Sequence, residues 1–375
     1  MEKIFFFANF FPEDFTRGIT KKVWAQMYAL KELGYEVTYY TGYLEDGVAV
    51  FDSDGKVVKK KKYSLKKINH IYRNQILKKT AAEFIKTNGC HIDIVYARYL
   101  FFDANYIRML KRAQEAKCKI IVEAHSYPTY IKGEYIMYPT YLIDYFYKRV
   151  APKYVDLVAA VSSVHNIWGI KTVNIDNGID FIKTKAKKTN STMPTVINII
   201  CVSYESSVHG YDRMIRGLGN YYRQEGKIEV RLLLVGTVLN ETLKLIQKEG
   251  IADYVEILGT KGPQELDEIY DRSNIGMGLL APHRMGTLDS SGLKTKEYIA
   301  KGIPFFYAGY GLECSGADKF TIRFDANDDP IDVEKIVLFY LGLEKEGLEQ
   351  RIRNWGKPYS WTYQLEKVMK VLYEQ

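Results

Sequence analysis

The sequence predicts an α/β protein of two doubly wound, Rossmann-like domains facing across a cleft. Three observations carry that expectation. Short apolar runs alternate with amphipathic stretches at helical spacing, and that alternation runs through twice. Between the two rounds lies FIKTKAKKTNSTMP (181–194), polar, basic and without apolar periodicity, which reads as a linker. A chain of 375 residues is also long for a single core. The boundary is expected near residues 182–194, giving an N-terminal domain over 1–182 and a C-terminal domain over 195–358. The last segment, 359–375, is expected to be a helix packing back on the first domain.

The first round opens with EKIFFFANF, an apolar run suited to a buried strand. GITKKVWAQMYALKELG follows, with Ile19, Val23, Met27 and Leu30 at helical spacing, and YEVTYYTG reads as the second strand. IDIVYAR, CKIIVEAHS and VDLVAAVSS are further strands, separated by the helical patterns FDANYIRMLKRAQEA and YLIDYFYKRVAPKY. In the second round TVINIICVS, IEVRLLLVG, YVEILGT and IGMGLLAP are strands. Helices are expected from about Gly210, from about Asn240 and over PQELDEIYDRS. Strands joined through helices imply right-handed crossovers and parallel sheets.

Composition narrows the function classes. The chain is 47% hydrophobic and 26% charged, and its longest apolar runs fall far short of the roughly 20 residues of a membrane span. The four cysteines, Cys90, Cys118, Cys201 and Cys314, show neither paired nor metal-like spacing, which predicts reduced thiols in a cytoplasmic protein. Net charge is +8, concentrated between Lys56 and Lys79, where ten Lys or Arg stand without one Asp or Glu. As a solvated loop and helix face this stretch needs no partner. As a patch it suits an anionic membrane surface at the inner face, and no nucleic-acid recognition motif accompanies it.

TLDSSGLKTKEYIAKGIP (287–304) holds the densest chemistry. Ligands of open parallel sheets bind beyond the carboxyl ends of strands, where a loop hands over to a helix. Here Ser290 or Ser291 can cap a helix, Gly292 permits close backbone approach, and the N–H groups of Gly292 and Leu293 are unpaired donors at its positive end. His283, Arg284 and Lys294 add cationic character. Asp289 precedes the helix and Glu297 lies about five residues in, so an anion at the helix start would have a carboxylate on either side. A diphosphate joining a ribose to a sugar fits that layout, and so does a surface helix with incidental acids.

The same stretch resembles the donor-site motif of retaining glycosyltransferase family 4, the glycogen-synthase-like group with the GT-B fold. That motif runs Glu, any seven residues, Glu, and is followed by Ala-x-Gly-x-Pro. Asp289 matches the first acid, Gly292 and Leu293 an internal Gly-Leu, Glu297 the second acid, and AKGIP the tail. VDLVAAVSS, IDNGID, LLLVG and VEILGTKGPQELDEIYDRSNIGMGL extend the likeness over most of the chain. HGYDR and the LKxxEY helix resemble bacterial polysaccharide-locus transferases.

The resemblance implies that the N-terminal domain takes the acceptor and the C-terminal domain the nucleotide-sugar donor, and it implies a role for each matched residue. Glu297 would bind the donor ribose and Asp289 the transferred sugar. Gly292, Leu293, Ser290 and Ser291 would take the diphosphate, and Thr260, between Gly259 and Lys261, would flank the base. Gly18 would bring backbone up to the diphosphate or acceptor, and His125 would face the transferred sugar. Where the family carries an Arg and a Lys on the diphosphate, this chain has Tyr204 and His209. Arg284, Lys294 or Arg213 are then the expected replacement cations.

The implied reaction moves a hexosyl unit, with retention, from a UDP- or GDP-sugar to a glycan or lipid-linked saccharide. It is expected to need no metal or other cofactor, because DSD (52–54) and NDDP (327–330) both read as turns. Two other classes share the fold: a nucleotide-sugar epimerase, and a non-catalytic partner subunit, which the altered Tyr204 and His209 would favour.

Overall fold

The computed structural model describes residues 1–15, 17–64, 69–125, 138–161, 164–188, 194–286, 293–309 and 317–374, with Tyr138, Leu293 and Ala317 as backbone only. The chain forms two compact units, Met1–Gly178 with Trp361–Gln375, and Ile179–Ser360.

Unit 1 begins with β1 (Lys3–Phe7), α1 (Gly18–Glu32), β2 (Glu36–Tyr43), β3 (Gly47–Asp52), β4 (Val57–Lys62) and α2 (His70–Asn88). It continues with β5 (Ile94–Arg98), α3 (Ala104–Glu115), β6 (Lys119–Ala124), α4 (Tyr138–Tyr147), β7 (Leu157–Ala160), β8 (Asn166–Ile167) and β9 (Ile170–Asn174). Its sheet runs β4-β3-β2-β1-β5-β6-β7-β9-β8, parallel from β2 through β9. The β2–β3–β4 edge and β8 are antiparallel.

The run of phenylalanines in β1 follows from its place. A central parallel strand is covered on both faces, so successive residues enter different cores. Phe5 and Phe7 pack with Val95, Ala97, Leu77 and Tyr106, whereas Ile4 and Phe6 pack with Val23, Leu30, Tyr96 and Leu365.

Unit 2 comprises β10 (Val196–Val202), α5 (Tyr211–Arg223), β11 (Glu229–Val235), α6 (Asn240–Glu249), β12 (Val255–Gly259), α7 (Pro263–Asp271) and β13 (Ile275–Met277). Then come α8 (Leu293–Lys301), β14 (Phe305–Ala308), β15 (Thr321–Phe324), α9 (Val333–Gly342) and α10 (Leu348–Trp355). Its six parallel strands run β12-β11-β10-β13-β14-β15, the 3-2-1-4-5-6 order of a doubly wound nucleotide-binding sheet. The last helix, α11 (Trp361–Tyr373), belongs to unit 1, where it packs on α1 and buries Trp361, Leu365, Val368 and Leu372.

Two elements differ from the sequence reading. VVKKKK, read as part of a loop and helix face, is the edge strand β4. Lysines on an edge strand keep its open hydrogen-bonding row from recruiting another chain, and they mask the strand's apolar signature. Several are paired: Lys60 with Asp46 at 2.9 Å, and Lys59 and Lys61 with Glu83 at 3.8 and 3.7 Å. The described part of the expected linker, 181–188, docks on unit 2 through polar contacts that periodicity cannot reveal. Lys187 Nζ donates to Ser273 O at 2.6 Å, and Lys188 N to Asp271 at 2.8 Å.

Candidate functional site

In unit 2 the sheet reverses direction of growth between β10 and β13, so the loops leaving these two strands open a crevice at their carboxyl ends. The β10 loop turns through a short 3-10 segment, Ser207–His209, into Gly210 and α5. The β13 loop forms a second, Pro282–Met285. The loops are laced together, with Ala281 N donating to Val208 O at 3.0 Å and Arg284 Nη1 to Ser207 O at 3.1 Å. Gly210 is required here. Its φ is +64°, and a Cβ would lie 2.8 Å from Leu280 Cβ.

Arg284 and Arg213, two of the three expected replacement cations, are occupied by the protein itself. Arg284 Nε donates to Asp328 at 2.8 Å, Nη1 to Ser207 O and to Asp212 Oδ1 at 2.8 Å, and Nη2 to Asp212 Oδ2 at 2.9 Å and Asp328 at 2.5 Å. All five guanidinium N–H groups are thereby used. Arg213 is 2% exposed and gives Nε to Asp329 O at 2.7 Å, Nη1 to Leu280 O and Asp325 O, and Nη2 to Asn327 at 2.8 Å. Both arginines are loop staples in this structure. His283 joins the same cluster, 3.2 Å from Asp328.

Lys294, the third, is different. Its ammonium lies 4.0 Å from Cys201 Sγ and makes no ion pair among the described residues. Burial lowers its pKa, while Cys201 and Glu297 favour its charged form. Lys294 also acts on His209, whose pKa falls to about 4, first through burial and then through that charge. Ser206 N donates to His209 Nδ1 at 2.9 Å, so the neutral ring keeps Nε2–H as its donor. Tyr204, at the position of the family's Arg, is 73% exposed. Glu297, on α8, stands close enough to the buried Tyr270 to raise its phenol, after burial itself. Thus Lys294, His209 and Glu297 are coupled at one place. Thr260 is exposed, directly beyond Gly259 at the end of β12. Asp289, Ser290, Ser291 and Gly292 lie outside the described residues, as does the side chain of Leu293.

In unit 1 the corresponding switch point lies between β1 and β5. Gly18 opens α1, and a Cβ there would meet nothing within 4 Å, so its own fold does not demand a glycine. His125 follows β6, half-buried, with its pKa lowered to about 3 by burial first and by Arg98 second. Around it is a buried charge cluster to which sequence reading assigned no role. Lys22 Nζ lies 3.0 Å from Glu123, which also accepts from Gln26 at 2.7 Å and Tyr96 at 3.0 Å. Burial alone would push the Glu123 carboxyl up, but Lys22 and Arg98 hold it down at about 2. The usable signal was a charged residue, Arg98, ending an otherwise apolar buried strand.

No family model and no curated protein matches the chain. Solved structures do match. A glycosyltransferase from Rickettsia africae ESF-5 aligns at TM-score 0.64 and 15% identity, over 100% of this chain and 98% of its own. Sucrose-phosphate synthase from Thermosynechococcus elongatus aligns at TM-score 0.60 and 12% identity over 100% of both chains. The catalytic domain of starch synthase IV from Arabidopsis thaliana, bound to ADP and acarbose, aligns at TM-score 0.59 and 12% identity, over 100% of this chain and 98% of its own. With the two doubly wound sheets described above, these likenesses show that the chain has the GT-B fold.

Proposed function

We propose that this protein is a retaining glycosyltransferase of family 4 type, moving a hexosyl unit from a nucleoside-diphosphate sugar, UDP-linked in preference to GDP-linked, to a glycan or lipid-linked saccharide in bacterial surface polysaccharide synthesis. The observation that carries the reading is the coupling of Lys294, His209 and Glu297 at the switch point of a 3-2-1-4-5-6 sheet. Two neutral-to-anionic groups and one uncommitted ammonium are what a diphosphate leaving group and a ribose require. The ammonium and the Nε2–H of His209 offset charge developing on the departing diphosphate, and Glu297 accepts from ribose hydroxyls. Arg284 and Arg213 hold the loops that present these groups. Asp289, Ser290, Ser291 and Gly292 keep the roles their motif implies.

In unit 1 a neutral His125 is assigned to the transferred sugar, where its ring can accept from or donate to a hydroxyl without adding charge. Departure of the diphosphate is proposed to proceed without a metal, its charge met by Lys294 and backbone N–H groups. An anionic membrane surface remains the proposed setting through residues 56–79, although Lys59, Lys60 and Lys61 have acidic partners and Lys78 is buried against Asp103 at 2.5 Å. Neutralising Lys59 to Lys62 would lower retention on anionic vesicles if this surface operates. Unchanged retention removes it.

The deciding experiment is calorimetric titration with UDP and GDP in EDTA, on wild type and Glu297→Ala, followed by assay of UDP-sugar turnover with saccharide acceptors. Micromolar binding of UDP, weakened by the substitution, and release of UDP only with an acceptor are expected. Interconversion of two donor sugars without release would instead identify an epimerase. The exposed Tyr204 and the fully engaged Arg284 favour one further reading, a non-catalytic partner subunit. Nucleotide binding without turnover across a broad acceptor panel would select it.

A further inference from the structure

Arg98 ends β5 at the switch point of unit 1, locked there by pairing opposite Glu123 and by Tyr106 Oη, which donates to its carbonyl at 3.0 Å. It is 7% exposed, yet its Nε and Nη1 have no hydrogen-bond partner among the described residues. It makes no ion pair among the described residues. The one carboxylate that influences it, Glu123, is engaged by Lys22, Gln26 and Tyr96. Lys22 is drawn on by a second carboxylate, Asp176, as well as by Glu123, and burial lowers its pKa, whereas Glu123 is the carboxylate that acts on Arg98. His125, its pKa lowered and its Nδ1 without a partner among the described residues, offers Arg98 no compensating charge.

A guanidinium cannot escape that position by losing its proton. A buried charge without a partner is strongly unfavourable, and its unmade hydrogen bonds add to the penalty. Such a group is retained where a ligand completes it. The planar fork of arginine matches two oxygens of a phosphate or carboxylate. Its place, at the carboxyl end of a strand beside the reversal in strand order, is where ligands enter such sheets. His125, two residues beyond Glu123, is only half-buried.

We infer that the switch point of unit 1 is an oxyanion site, in which Arg98, supported by Lys22 and His125, takes a phosphate or carboxylate borne by the acceptor. This rests on the reading of unit 1 as the acceptor half of a transferase. It deepens that reading by making the acceptor an acidic or phosphorylated saccharide. Phosphate and carboxylate share the chemistry that Arg98 recognises, and two arms of one experiment separate them.

Methyl phosphate and acetate are titrated into the full-length protein in saturating UDP, following the thermal midpoint. The proteins are wild type, Arg98→Met, Arg98→Lys and Lys294→Met. The expected result is saturable stabilisation of wild type and Lys294→Met by one of the two anions, which names the source. The apparent affinity should be at least about tenfold weaker in Arg98→Met and intermediate in Arg98→Lys. Arg98→Met should melt close to wild type, because it removes an attraction for Glu123 together with a repulsion of Lys22, and the side chain lost makes no hydrogen bond through Nε or Nη1. Should it fail to fold, Arg98→Lys decides. An equal response in all four proteins, or none from either anion in wild type, overturns the site. Loss of UDP binding in wild type overturns the transferase reading instead, and the anion response without nucleotide still reports on Arg98.

Discussion

Arg284 grips Asp212 with two parallel hydrogen bonds, Nη1 to Oδ1 at 2.8 Å and Nη2 to Oδ2 at 2.9 Å, and so fastens the loop after β13 to the first turn of α5. The pair is only about a quarter exposed, and Asp212 carries a second arginine, Arg216, at 3.3 Å. A two-pronged, partly buried pair of this kind is worth more than an exposed one. Arg284→Ala is expected to destabilise the protein by about 1–3 kcal/mol, and a double-mutant cycle with Asp212→Ala should return a coupling energy of about 1 kcal/mol or more. Urea unfolding of the three variants measures both. Additive effects would mean that the pair staples nothing.

Lys294 should behave in the opposite way. It has no ion-pair partner among the described residues and is half-buried, so burial works against its charge until an anion arrives. Lys294→Met is expected to leave thermal stability unchanged or raised, while weakening UDP binding by about 10–100-fold. The contrast with Arg284→Ala separates a cation that binds from one that braces. If Lys294→Met binds UDP as tightly as wild type, the diphosphate is held by other groups.

Acid stability should report the two half-buried histidines. His125 is held down to about 3 and His209 to about 4, against 6.5 for a free imidazole. Below pH 6.5 the unfolded chain binds protons at both positions, whereas the folded chain refuses them until its lower values are reached. The stability they contribute is therefore complete above pH 6.5 and is lost as pH falls from 6.5 towards 4 for His209 and 3 for His125. For His125 the ceiling is about 1.4 kcal/mol per pH unit, and His209, more exposed, contributes less. Glu123, with its carboxyl held at about 2, adds a loss only below 4.5. Unfolding free energies should begin to fall near pH 6.5, and His125→Gln should flatten the slope between pH 6.5 and 4.5. An unchanged slope in that variant would place His125 in a more solvated setting.

Much of this was legible in the sequence because it rests on periodicity. Runs such as KIFFF and VINIICV are apolar on both faces, as a central parallel strand requires, and helical spacing in α1 and α5 is equally plain. The edge strand β4 was hidden because an edge needs charge where a central strand needs none. Candidate site residues were legible where one motif supplied them, as with Lys294 and Glu297, which both stand on α8. What the motif could not reveal was occupancy. Arg284, Arg213 and Lys294 are equivalent cations in a sequence, and only the acceptors around each show which charge is already spent. The Lys22–Glu123–Arg98 cluster was missed for a related reason: Lys22 on α1 stands 76 residues before Arg98 on β5 and 101 before Glu123 on β6, and the three meet only in the folded sheet.

Gly210 tests whether the two laced loops matter to binding. It stands in the left-handed region at φ +64°, between the 3-10 segment carrying His209 and the first turn of α5. Alanine there would pay about 1–2 kcal/mol for the backbone conformation alone. Its Cβ would also press within 2.8 Å of Leu280 Cβ and 3.3 Å of Ala281 N, the group that donates to Val208 O. Relief must come from separating the β10 and β13 loops, which would shift His209 relative to Lys294. Gly210→Ala is therefore expected to lose about 2–4 kcal/mol of stability and to weaken UDP binding together with it. A remote control at Gly250 (φ +70°), where a Cβ meets nothing within 4 Å, should cost stability through strain but leave UDP binding intact. Parallel melting curves and UDP titrations on the two variants decide it: loss of binding in both, or in neither, would mean that contact between these loops does not set the geometry of the proposed nucleotide site.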